Sequence, residues 1–85
     1  MEIEFDPSKD AVNRAKHGIS LGRARDLDML AVMPDTRFDY GEARFRAWGI
    51  IDGAVYCLAF TTRGDRVRAI SLRRAHDKEV KRYVR

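Results

Sequence analysis

The chain opens on an alternation. Glu2, Ile3, Glu4 and Phe5 put charged and apolar residues on opposite sides, the pattern of a short strand with one buried face. The next stretch, "DPSKDAVNRAKHG", reads as a helix from Pro7 to His17. Asp6 suits its cap, Pro7 its first turn and Gly18 its stop. Ala11 and Ala15 share a face of it, with Val12 beside them. A second helix is predicted at once, with Ser20 as cap. Leu21, Ala24, Leu27, Leu30 and Ala31 fall on one stripe, and Pro34 ends it. The two helices would form a hairpin with almost no loop.

From residue 34 the pattern changes. "PDTRFDYGEAR" carries turn residues and reads as a loop. Three strands follow, over residues 44–51, 54–62 and 65–72, joined by tight turns at Asp52-Gly53 and Arg63-Gly64. The middle one, "AVYCLAFTT", is almost wholly apolar, as a central strand covered on both faces would be. A closing helix over residues 76–85 has Asp77 as its cap and Val80, Tyr83 and Val84 on one face. The expected class is α+β, in the order β-α-α-β-β-β-α. Helices should pack on one face of an antiparallel sheet, leaving the other partly open or covered by a partner.

Side-chain parity adds chemistry. Arg44, Arg46, Trp48 and Ile50 share one face of the first of these strands. Arg66, Arg68, Ile70, Leu72 and Arg74 share a face of the last, with Val67, Ala69, Ser71 and Arg73 opposite. Arginines beside an aromatic plate hold single-stranded nucleic acid, so Arg44, Trp48, Arg66 and Arg68 are candidate RNA contacts. The competing reading is a solvated charged face.

Composition narrows the class. The 85 residues make one domain, since a second would have no room for a core. A domain this small gains stability from a bound partner. Its 45% hydrophobic and 35% charged content is that of a globular chain. The single Cys57 can form no internal disulfide and reads as a buried strand residue of a protein from a reducing compartment. The acidic N-terminus is no secretory signal, and no apolar run nears the roughly 20 residues of a membrane span. Cytoplasm is the expected location. Charge is uneven: residues 1–42 hold 6 Lys and Arg against 9 Asp and Glu, residues 43–85 hold 11 against 4. The excess in the second half is largely arginine, whose planar fork matches phosphate.

Metal and cofactor chemistry find no support in the sequence. His17 and His76 stand apart, and no ligand spacing, Walker loop or nucleophile elbow occurs. Acid–base chemistry without metal remains. RNA brings its own nucleophile, the 2′-hydroxyl, and cleavage needs a base, an acid and positive charge for the phosphorane. "NRAKHGIS" poses the question sharply: Lys16 and His17 either settle a helix dipole or belong to an active site.

Four stretches, "FDPSKDAVNRAKHGIS", "DTRFDYGEARF", "TTRGDRVRAISLRRA" and "EVKRY", together resemble the BrnT family, toxins of bacterial type II toxin–antitoxin systems. The resemblance spans nearly the whole chain. Leu21 stands where that family usually has Phe, and Leu72 where it usually has Ala; the second departure would narrow a site beside Ser71 and Arg73. The resemblance implies a RelE-like fold, metal-independent ribonuclease activity without a cofactor, and inhibition of translation. It also implies a BrnA-like ribbon-helix-helix antitoxin that masks the toxin, with DNA reached only through that complex. Carried over by position, the catalytic candidates are Lys16, His17, Arg63, Arg73, Arg74 and Tyr83. Arg63, Arg73 and Arg74 would hold the scissile phosphate, with His17 and Tyr83 as proton carriers. Glu42 and Glu79 would orient the cations, and Arg44 belongs to the same motif as Glu42. The alternative is a non-catalytic module that binds RNA or antitoxin and acts by blocking translation or by operon autorepression.

Overall fold

The computed structural model describes residues 2–85. Strand β1 (Ile3–Glu4) and helix α1 (Pro7–His17) form where alternation and capping place them. The Asp6 carboxylate accepts from the Ser8 N–H at 2.8 Å, and the Gly18 N–H closes the last turn on the Arg14 carbonyl.

Helix α1 docks through a polar residue. Asn13 is 4% exposed. Its Nδ2 donates to the carbonyls of Ile19 and Leu72, both at 2.9 Å, and its Oδ1 accepts from the Leu72 N–H at 3.0 Å. Buried backbone groups need partners, and Asn13 supplies two of them at the edge of the sheet. The alanine face expected to pack does not: Ala11, Val12 and Ala15 are exposed.

The second predicted helix is replaced by two other elements. Residues Leu21–Asp26 form a 3-10 helix, and Asp28–Pro34 form strand β2. Ser20 caps as expected, its hydroxyl accepting from the Gly22 N–H at 3.1 Å. Leu21, Ala24 and Leu27 are spaced by three, which gives one face on a 3-10 helix as on an α-helix. Beyond Leu27 the sheet wins, because β2 pairs the otherwise bare edge of β3 (Phe45–Ile51). Met29, Ala31 and Met33 are half-buried while Asp28, Leu30, Val32 and Pro34 are exposed, so Pro34 ends a strand. A register shift between Met29 and Ala31 leaves Leu30 as the extra residue of a bulge. Gly49 permits this approach: a Cβ there would collide with the Asp28 carbonyl and stand 2.9 Å from Leu27 Cγ. Gly49→Ala should therefore lose about 1–3 kcal/mol of stability in urea unfolding; an unchanged midpoint would show that β2 can move away freely.

Strands β3, β4 (Ala54–Arg63) and β5 (Arg66–Arg74) form the expected meander. Asp52 at φ 49° and Gly53 at φ 79° make the first hairpin turn, the left-handed pair that a two-residue loop demands. The spatial order is β1-β5-β4-β3-β2, with β4 central as its apolar run predicts. The sheet is mixed: β1 runs parallel to β5, and the other neighbours are antiparallel. The element order is thus β-α-β-β-β-β-α, and the class is α+β.

Helices cover both faces of the sheet, not one. On the first, α1 and the 3-10 helix enclose a core that includes Leu21, Leu27, Ala47, Leu58 and Leu72. Leu21 and Leu72 are both fully buried there, so Leu72 narrows no surface site. On the second face lies the closing helix, α2 (Asp77–Glu79), continued by a π turn (Val80–Val84). His76, not Asp77, is its cap.

Candidate functional site

Register builds the second face. Trp48 pairs with Cys57, and Cys57 with Arg73, so the three form one row across β3, β4 and β5. The next row is Arg46, Ala59 and Ser71. Alternation alone would split β5 differently, with Leu72 beside Arg68. A register shift at Ile70 changes the parity: Val67, Ala69 and Leu72 all enter the core, and Arg73 turns to the second face. A bulge commonly re-aims a side chain in this way.

The closing helix completes that face. The Arg73 guanidinium grips Glu79 with two prongs, Nη1 to Oε1 at 2.7 Å and Nη2 to Oε2 at 3.1 Å. Arg73 Nη1 also donates to the Arg74 carbonyl at 3.1 Å, and Glu79 Oε1 accepts from the His76 N–H at 2.9 Å. Burial pushes the Glu79 carboxyl up, but the Arg73 and His76 hydrogen bonds outweigh it and bring it down to about 2. Glu79 is therefore ionised near neutrality and a weak base; it orients Arg73. A lowered carboxylate stabilises the fold above its unfolded pKa and loses that contribution as pH falls through the folded one. Stability should drop between pH 4.5 and about 2, and Glu79→Gln should flatten that part of the curve. Parallel curves for the two proteins in urea titrations would remove Glu79 from the linkage.

Beside this pair the Tyr83 ring stacks on Trp48, centroids 4.2 Å apart and planes at 21°. The Arg46 guanidinium lies 5.1 Å from the Trp48 ring and 5.8 Å from the Tyr83 ring. Arg46 Nε and Trp48 Nε1 are buried without a hydrogen-bond partner among the described residues. Such donors in a positively charged cluster are an unusual burial, since each leaves a desolvation cost unmet. Burial pushes the Cys57 thiol up to about 11, so it is neutral and no nucleophile at ordinary pH.

The β2–β3 loop adds a second arginine group at the end of the same face. Asp35 is buried and takes Arg37 on both oxygens, at 2.8 and 2.9 Å, together with the Tyr40 hydroxyl at 3.0 Å. The Arg37 hydrogen bonds hold its carboxyl well below the usual carboxylate range. Arg44 lies 4.2 Å over the Tyr40 ring and 3.3 Å from Glu42. Each cation in this loop has its own carboxylate, which fixes its position and reduces its free charge.

Residues 5–79 match the family described as ribonuclease toxin, BrnT, of type II toxin–antitoxin systems. The chain belongs to the BrnT family. Its structure is also similar to the 1.1 Å crystal structure of the Brucella abortus ribonuclease toxin BrnT, with a TM-score of 0.66 and 27% sequence identity over 91% of this chain and 99% of that one. No curated protein matches the sequence. As a BrnT-family toxin, the chain has RNA as its substrate and an antitoxin as its partner. No helix among the described residues is long and apolar enough to cross a membrane.

Within this BrnT-family chain the sequence candidates separate. Arg73, Glu79 and Tyr83 stand together; Trp48 lies beneath the Tyr83 ring and is fully buried, so it supports the site and is not the RNA contact that strand parity suggested. Arg63 pairs with Arg66 at the far end of β5, about 20 Å along the strand from Arg73 by strand rise. Arg66 is paired to Glu2 at 3.1 Å and Arg68 to Glu4 at 3.4 Å. Arg74 follows Arg73 but is exposed over the Tyr56 ring, at 5.7 Å. Lys16 and His17 are exposed at the end of α1, in a groove beside Ile70 and Ser71. The three phosphate candidates, Arg63, Arg73 and Arg74, therefore do not converge on one point. Sequence reasoning missed two participants. Arg46 shares parity with Trp48, a signal that was present; Arg37 lies in a turn, and only the buried Asp35 reveals it. No group of three or more His, Cys, Asp or Glu that can hold a metal occurs among the described residues.

Proposed function

We propose that this chain is a RelE-like, metal-independent endoribonuclease acting in the cytoplasm. It inhibits translation, and a BrnA-like ribbon-helix-helix antitoxin neutralises it. One observation carries the reading: an arginine on a bulged strand, held by an ionised glutamate, stands beside an arginine-backed aromatic stack. Arg73 receives a non-bridging phosphate oxygen, and Arg46 adds positive charge as the phosphorane forms. The 2′-oxygen attacks phosphorus as its proton leaves to a base. The bond to the 5′-oxygen breaks as an acid protonates that oxygen, which yields a 2′,3′-cyclic phosphate and a 5′-hydroxyl. Tyr83 and His17 are the proton carriers, Tyr83 from the second face and His17 with Lys16 from the groove at the edge of β5. Arg74 lies next to the phosphate site. Glu42 sets Arg44 for the flanking RNA, and Arg63, Arg66 and Arg68 contact more distant phosphates.

The test is cleavage of single-stranded RNA by purified protein in excess chelator. Wild type, Tyr83→Phe and His17→Ala are compared, with growth followed after induction of each. Cyclic phosphate ends from the wild type, lost in Tyr83→Phe or in His17→Ala, would support the reading and assign the proton carriers. RNA binding without cleavage would make the chain a binding module.

A further inference from the structure

Helix α1 leaves a face without a partner. Asn13 is its one buried residue, while Ala11, Val12 and Ala15 point outward, Val12 with 55% of its surface exposed. Between this helix and β5 runs a groove of about 320 Å³, with Val12 and Ile70 as its apolar lining. Ser8, Lys9, Lys16, His17 and Ser71 supply its polar groups, and no carboxylate lines it. Two acids stand near it: Asp6 caps the helix and takes both the Ser8 N–H and its hydroxyl at 2.8 Å, and Asp10 is turned away, accepting from the Leu21 N–H at 2.7 Å and from Ser20 at 3.0 Å.

We propose that this groove receives an acidic segment of the antitoxin carrying an aliphatic anchor. The proposal rests on the antitoxin partner that membership of the family implies. The anchor covers Val12 and Ile70; carboxylates of the segment meet Lys9 and Lys16 at the rim. RNA reaches the His17 end of the groove, where the proposed proton carrier stands, but fits the Val12–Ile70 stretch less well. Its bases stack on aromatic faces, and this lining is aliphatic; the cations are lysines, not the forked arginines of the second face. The position also provides inhibition. Ser71 lines the groove and stands two residues from Arg73 on β5, so a segment seated here lies at the rim of the proposed phosphate site.

The test uses the full chain, the purified product of the gene beside it, and an oligouridine as RNA probe. Val12→Asp puts a charge against the anchor, and Lys9→Glu reverses the rim. Neither residue is in the core, and thermal melts confirm folding. Each variant should weaken antitoxin binding at least tenfold, by about 1.4 kcal/mol or more, with RNA cleavage and oligouridine binding unchanged. Wild-type antitoxin affinity in both variants would overturn the proposal. So would a loss of oligouridine binding in its place, which would make the Lys9–Val12 stretch of the groove an RNA site too. An adjacent product that ignores even the wild type would overturn the partner together with the groove, and this is distinguishable because the wild type itself then fails to bind.

Discussion

Arg73→Ala should cut RNA cleavage by about 10²–10³-fold, the range seen when one preorganised charge donor is lost from a reacting centre. Of the five N–H groups of a guanidinium, three of Arg73 are committed to Glu79 and to the Arg74 carbonyl. Two remain for a phosphate. The same substitution strands the Glu79 carboxylate, whose side chain is only 13% exposed, so some stability is lost as well. Arg73→Lys separates the effects. Lysine keeps the charge beside Glu79 but has no planar fork, and it should fold while losing most of the cleavage. Full activity in Arg73→Lys, measured at saturating RNA, would reduce Arg73 to a structural partner of Glu79.

The second large effect is on stability. Asn13→Ala should cost about 2–4 kcal/mol in urea or thermal unfolding, because each buried group left unpaired costs about 1–3 kcal/mol. Three hydrogen bonds disappear, and the Leu72 N–H and carbonyl lose the partner they find in α1. For a domain of this size that is a large share of the total. Asn13→Asp is a sharper probe: it keeps an acceptor for the Leu72 N–H, loses both donated bonds and buries a charge. It should be no more stable than the alanine variant. A loss below about 0.5 kcal/mol in both would mean that water replaces Asn13 easily.

These residues mark what the sequence could and could not convey. The bounds of α1 were legible, because Asp6, Pro7 and Gly18 are local signals with local consequences. The Asp52-Gly53 turn and the central position of β4 were legible for the same reason. Strand β2 was not. Residues 29–34 are a short apolar run in which the exposed Leu30 and Val32 are as apolar as the half-buried Met29 and Ala31, so no alternation in the sequence separates a strand from a helix. Their state is decided by the free edge of β3, which lies far along the chain. Asn13 looked like an ordinary helix residue, since its meaning depends on residue 72. The candidate site was legible in part: Arg73, Glu79 and Tyr83 were named, but Trp48 was expected on the surface and lies buried under Tyr83, and the bulge at Ile70 decides which of the β5 arginines joins them. Arg63 could not be set apart from Arg73 without the register of β5.

The parallel pairing of β1 with β5 has a consequence for how the chain comes into being. Ile3 lies beside Val67, and Glu4 beside Arg68. Strand β1 therefore waits for β5, and α1 waits with it for Leu72. The meander of β2, β3 and β4 can zip locally as it emerges, whereas closure over sixty-odd residues is the slow, long-loop step. Glu79 and Tyr83 come later still. A nascent chain thus has neither its finished sheet nor its proposed site until residues 66–84 have been made, and the machinery that makes this toxin is working until then on an unarmed polypeptide.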